Sequence, residues 1–167
     1  MSQIDRFLDA LGRLEVGWTR STADEFSSVL DEVLSPSSIG APLPFEDLSL
    51  DETDVNLKPS PADLDAAATG VTAARLAIAS YGSILIQSAV DATEAVSLFP
   101  DRHVAILRAS DIVPDMAAAF ERLGPTLRND AVTTILATGP SATADMGALV
   151  KGAHGPMEVH VLLVEDR

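Results

Sequence analysis

Cysteine is absent from this chain. That excludes disulfides, thiolate zinc sites and iron–sulfur ligation by its own side chains. Aromatic residues make up only 4% of the sequence, so Val, Ile, Leu and Ala have to build the core. No uninterrupted apolar stretch approaches the ~20 residues that span a bilayer. The opening residues, Met1 to Arg6, lack the basic segment and apolar run of a signal peptide. A soluble, cytoplasmic protein without a membrane span is expected. Lysine is nearly missing too: Lys58 and Lys151 are the only two among 11 basic residues, against 25 acidic ones.

The resulting formal charge of −14 argues against nucleic acid as a partner, because phosphate contacts need clustered Lys and Arg. The acid excess runs along the whole chain instead of forming one tail. It reads as adaptation to high salt (a halophilic pattern), where self-repulsion is screened. An acidic docking face or a merely solvated surface are the alternatives. At 167 residues the chain suits one compact domain with a real core.

Ile4, Phe7, Leu8, Leu11 and Leu14 recur at helical spacing. A second helix is expected after Thr22-Ala23-Asp24-Glu25, a capping-box sequence, with Phe26, Val29, Leu30, Val33 and Leu34 as its stripe. Residues 35–61 hold five of the ten prolines and read as an extended surface connector. Ser60-Pro61-Ala62-Asp63 is a helix start with proline at the first helical position. Strands are expected at Val71–Ala73, Ile84–Gln87, His103–Arg108, Val132–Ala137 and Glu158–Val164. An amphipathic helix over Ile112–Leu123, closed by Gly124-Pro125, separates the third from the fourth. Near-continuous Val/Ile/Leu strands alternating with helices predict an α/β fold, with a mostly parallel sheet flanked by helices. Residues 1–60 form an N-terminal helical extension and connector, and 61–167 the α/β unit.

Between the last two strands lie two glycine-proline turns, in the region where α/β sheets bind ligands. Thr138, Gly139, Ser141 and Thr143 offer backbone amides and hydroxyls. A short helix starting near Ala142 would attract an anion to its N-terminus, with Asp145 capping it or bonding a hydroxy acid. Alternatively, Ser141 and Thr143 only cap a turn. His154, beside Gly155, has a flexible backbone around it and suits acid–base work or carboxylate binding; fixing the loop is its other reading. Gly82-Ser83 offers one more hydroxyl. Glu94 would meet His103 if the chain turned at Pro100, although His103 more simply satisfies a buried backbone group, and His160 more simply packs. The histidines lack metal-ligand spacing, so no metal site is expected. No dinucleotide, Walker or serine-elbow motif occurs.

Together these pieces resemble the LUD domain of LutC/YkgG-type lactate-utilization proteins over roughly Asp63 to Asp166. The matching residues are Gly70-Val71-Thr72-Ala73-Ala74, Gly82-Ser83, Ser97-Leu98-Phe99-Pro100 with His103, Thr138-Gly139-Pro140-Ser141 with Thr143-Ala144-Asp145, Gly152 with His154-Gly155-Pro156, and the final strand. Ser80-Tyr81 departs from the acidic residue and threonine that many relatives carry there. The resemblance implies a fold like NagB, ribose-5-phosphate isomerase (RpiA) and CoA transferases. It implies a non-redox subunit of an L-lactate-oxidising complex that binds a small carboxylate or anion. No cofactor is expected on this chain, because iron–sulfur clusters would sit on partner subunits. In that reading His154, Asp145 and Glu94 are the candidate catalytic residues. Gly82, Ser83, Thr138, Gly139, Ser141, Thr143 and Gly155 would bind substrate. A homodimer is compatible with it. The alternatives are a stand-alone enzyme acting on a phosphorylated sugar or acyl-CoA, and a regulatory or assembly module.

Overall fold

The structure, a computed structural model, describes residues 2–88, 92–130, 132–145 and 147–167. Helix α1 (Gln3–Arg13) opens with a capping box between Ser2 and Asp5. It is followed by strand β1 (Gly17–Ser21), α2 (Phe26–Val33), β2 (Ser38–Gly40) and α3 (Pro61–Ala66). Next come β3 (Thr69–Ala73), β4 (Leu76–Ile78), β5 (Ser83–Gln87), α4 (Thr93–Leu98) and β6 (Arg102–Arg108). A 3₁₀ turn at Ala109–Asp111 leads to β7 (Ile112–Val113), α5 (Met116–Asn129), β8 (Thr134–Thr138), β9 (Ala142–Thr143), β10 (Val150–Lys151) and β11 (Glu158–Val164).

Five strands form an all-parallel sheet in the order β1-β11-β6-β3-β2. A second sheet, β7-β4-β5-β8, is mixed: β4 pairs parallel with β7, while β5 pairs antiparallel with both neighbours. The expected parallel architecture is present, and both faces of the large sheet are covered. Side chains alternate across a strand, so β6 and β11 serve two cores at once. Ala105, Leu107, Val161 and Leu163 face α1 and the second sheet, meeting Phe7, Leu11, Ile84 and Ile86. Val104, Ile106, Leu162 and Val164 face the other way, onto Phe26, Leu30, Phe45 and Leu50. Each such aliphatic side chain contributes about 1.5–3 kcal/mol on burial, which is how a chain so poor in aromatics holds together.

Several expectations are corrected. The first 60 residues are built into the sheet instead of extending from it: β1 borders β11 and β2 borders β3. β1 escapes a periodicity reading because Trp18, Thr19 and Arg20 show no apolar alternation, being an edge strand with little buried surface. The connector over 35–61 is anchored inward by buried Phe45, Leu48, Leu50 and Val55. The capping box at Thr22 does not form: Thr22 Oγ1 donates to Glu25 Oε2 at 3.1 Å, and α2 starts only at Phe26, without a side-chain cap.

The helix expected at 112–123 begins later and ends later. Ile112 and Val113 pair with β4, and Asp115 then caps α5 by accepting from the Ala118 amide at 3.0 Å. Pro114 disfavours helical geometry in the residue before it, which fixes that start. Pro125 lies inside α5 instead of ending it. It is exposed, so the carbonyl it deprives of a donor can bond water. By contrast, the Ser60–Asp63 helix start forms as expected, with a reciprocal capping box.

Candidate functional site

The two sheets leave a cavity of about 240 Å³ between them. Its walls are aliphatic: Leu11 of α1, Val16, Ile84 and Ile86 of β5, Ile135 and Ala137 of β8, and Val159 and Val161 of β11. Its polar groups are few: Ser97 of α4, His103 of β6, Thr138, Ser141 and His154. Among the described residues neither lysine, arginine nor any acid lines it. An apolar pocket with a handful of placed polar groups is the usual form of a small-molecule site.

The mouth is made by the two glycine-proline turns. They are zipped together by the Ser141 amide donating to the Pro156 carbonyl and the Gly152 amide donating to the Ser141 carbonyl, each at 2.9 Å. Beyond them β9 and β10 form a two-stranded antiparallel ribbon, with Thr143 opposite Val150. The helix expected near Ala142 is therefore replaced by a strand, so that segment offers no helix N-terminus to an anion. Gly152 has φ +80, and a Cβ there would lie 2.1 Å from Met157 Cγ; only glycine fits that turn. Lys151 of the ribbon pairs with Glu15 at the α1–β1 turn, and the contact holds the Glu15 carboxyl below its usual pKa.

Six expected site residues line this one cavity: Gly82, Thr138, Gly139, Ser141, His154 and Gly155. His154 is exposed at the rim, and Gly155 packs so close to Ser141 that an added Cβ would sit 3.2 Å from the serine Cβ. Four others do not line it. Ser83 is buried and its hydroxyl is bonded to Thr138 Oγ1 at 2.7 Å, across the β5–β8 pair. Thr143 lies on the ribbon and accepts from the Asp145 amide at 3.4 Å, leaving Asp145 itself exposed. Glu94 is exposed on α4, whereas His103 is buried on β6, so the two do not converge. Among the described residues no cluster of His, Cys, Asp or Glu is arranged to hold a metal ion.

His103 was read from the sequence as a structural histidine, and the structure gives it a place in the cavity wall. It is 2% exposed, and its Nε2 lies 2.8 Å from Thr72 Oγ1 on the neighbouring strand. Burial pushes its pKa down to about 4, so the ring is neutral at pH 7. The available signal was its position two residues before Ala105 on a strand whose inward face is apolar. His160, on the opposite face of the large sheet, packs as expected and bonds Thr19 Oγ1 at 2.9 Å. Its pKa is also pushed down to about 4, by burial first and by the Arg102 charge second.

Residues 46–164 match the family model of the LUD domain. The chain belongs to the LUD domain family. It is 31% identical to lactate utilization protein C of Bacillus subtilis over 128 residues, covering 74% of this chain and 52% of that protein. It is 29% identical to lactate utilization protein C of Deinococcus radiodurans, over 96% of this chain and 76% of that protein. A protein of Escherichia coli called uncharacterized protein YkgG is 33% identical over 60% of this chain. The chain spans only about half the length of the first of these relatives. A crystal structure of a DUF162 family protein from D. radiodurans superposes with a TM-score of 0.75, covering 98% of this LUD chain and 99% of that one at 22% identity. That likeness shows the fold. Among the described residues no helix is long and apolar enough to cross a membrane.

Proposed function

We propose that this LUD chain is a non-redox, ligand-binding subunit of an L-lactate-oxidising assembly whose iron–sulfur clusters reside on partner subunits. The observation that carries the reading is the coincidence of the family match with one site: the turns at 138–141 and 152–156 frame the mouth of the cavity. Without cysteine the chain supplies no thiolate for a cluster. Its contribution is to bind and orient. Ser141 and exposed His154 sit at the rim, where a substrate carboxylate keeps part of its hydration while accepting a hydrogen bond. A charged carboxylate placed deeper, among the aliphatic walls, would lose that hydration without a cationic partner.

The test is lactate-dependent dye reduction by the complex purified at high salt from its native host after growth on lactate. A folded His154→Ala chain should still co-purify with brown, iron-containing partners but turn lactate over more slowly. Normal turnover by that complex would remove His154 from the mechanism. A colourless, solitary protein would sink the subunit reading as a whole. A stand-alone enzyme on phosphorylated substrates is the weaker alternative, because among the described residues no Lys or Arg lines the cavity to meet a phosphate.

A further inference from the structure

His103 lines the cavity and has one ring nitrogen that no protein group occupies among the described residues. Its Nε2 is bonded to Thr72 Oγ1, and its Nδ1 has no hydrogen bond to protein. Among the described residues the only buried side-chain polar atom with neither a partner nor accessible surface is Ser80 Oγ. His103 is 2% exposed and is one of the residues that line the cavity.

The proton can be placed as well. Thr72 is fully buried, and His103 Nε2 is its hydroxyl's hydrogen-bond partner. A buried hydroxyl proton without an acceptor is costly, so Thr72 donates and Nε2 accepts. In a neutral imidazole the other nitrogen then carries the proton. Nδ1–H is then the ring's remaining donor, on a side chain that lines a mainly aliphatic cavity whose other polar side chains are Ser97, Thr138, Ser141 and His154. Nothing cationic stands beside it, and burial keeps the ring itself uncharged near pH 7.

We infer that the cavity holds an uncharged, mainly apolar small molecule whose carbonyl oxygen accepts a hydrogen bond from His103 Nδ1. A three-carbon hydroxy acid does not match this interior. Most of its wall is aliphatic and offers nothing to a carboxylate. The inference rests on the cavity being a ligand site and does not require the lactate assembly, so the two can fail separately.

The experiment uses the full chain and three probes of one shape: acetophenone, ethylbenzene, which lacks the carbonyl, and benzoate, which adds a charge. Affinities are measured by calorimetry at pH 7.5, with the imidazole nitrogens followed by NMR. Acetophenone should bind about 3- to 10-fold tighter than ethylbenzene, the worth of one net hydrogen bond. Benzoate should bind more weakly than acetophenone, and only acetophenone should shift the His103 Nδ1–H resonance. In His103→Leu the preference of acetophenone over ethylbenzene should fall towards one. If that variant does not fold, the wild-type selectivity and the Nδ1–H shift decide alone. Benzoate binding tightest, equal affinities for acetophenone and ethylbenzene, or no binding of any probe at millimolar concentration would each overturn the inference.

Discussion

Thr72 and His103 meet side chain to side chain at 2.8 Å although the register pairs His103 with Gly70 and Thr72 with Ala105. Both project from the same face of the large sheet, towards α1 and the cavity. The glycine opposite His103 is demanded by its own surroundings: a Cβ at Gly70 would fall 1.9 Å from the Val96 carbonyl oxygen of α4. The pair thus fixes the imidazole in the seam between the sheet and α4, with one nitrogen spent and the other free for the cavity.

That burial makes stability depend on pH in a defined direction. His103 and His160 have folded pKa values near 4, below the ordinary 6.5. Between those values the unfolded chain binds more protons than the folded one, so stability falls as pH drops from about 6.5 to about 4. For fully buried His103 the loss approaches roughly 3 kcal/mol, at 1.36 kcal/mol per pKa unit. The melting temperature of the wild type should drop across this window, and a folded His103→Gln chain should show a shallower slope. The lowered carboxyls of Asp5, Glu15 and Asp63 act in the same direction only below their ordinary values, so the upper part of the histidine window is free of them.

Asp111 offers a stability test away from the cavity. Its buried carboxylate accepts from Arg108 Nε at 2.7 Å and also pairs with Arg122. Arg108 in turn stacks over Phe45, 4.5 Å from the ring centroid. Asp111→Ala removes two charge-assisted bonds, while both arginines still reach water. A loss of about 2–3 kcal/mol is expected, read as a lower denaturant midpoint with an unchanged slope. No change would mean that the arginines are held by something other than this carboxylate.

Gly152→Ala should damage the mouth more than the fold. A side chain at φ +80 is strained, and its Cβ would collide with Met157. The cost is roughly 1–2 kcal/mol where the chain can shift, and the ribbon β9–β10 is the segment free to do so. Hydrogen exchange of the Ser141 amide should speed up, since its bond to Pro156 closes the same turn. Exchange as slow as in the wild type would show that the two turns are not mechanically linked.

Salt should stabilise this chain. With a net charge of −14, self-repulsion is strongest when the screening length is long, ~10 Å at 0.1 M and ~3 Å at 1 M. Thermal unfolding in increasing sodium chloride should give a rising melting temperature, even though exposed pairs such as Lys151–Glu15 weaken. A falling melting temperature would contradict the reading of the acid excess as adaptation to high salt.

The five expected strands were legible as apolar runs, and the three of them in the large sheet, β3, β6 and β11, are parallel as expected, whereas β5 and β8 pair antiparallel in the second sheet. The bends at 138–141 and 152–156 were legible because glycine and proline mark where a chain must turn between such runs. The LUD motifs lie on the same residues. What the sequence could not contain was the distance between segments far apart along it. Leu11 and Val16 wall the cavity alongside Val161 only because β1 pairs with β11, a choice made by burial across the whole sheet and not by the weak local pattern of β1. Asp145 and Glu94 carry the right chemistry for a site, yet both side chains are exposed and neither is part of the cavity wall. His103, read as structural, lines the cavity because strand register and the packing of α4 set its position. Local periodicity and turn chemistry determined the elements; long-range pairing decided which side chains share a pocket.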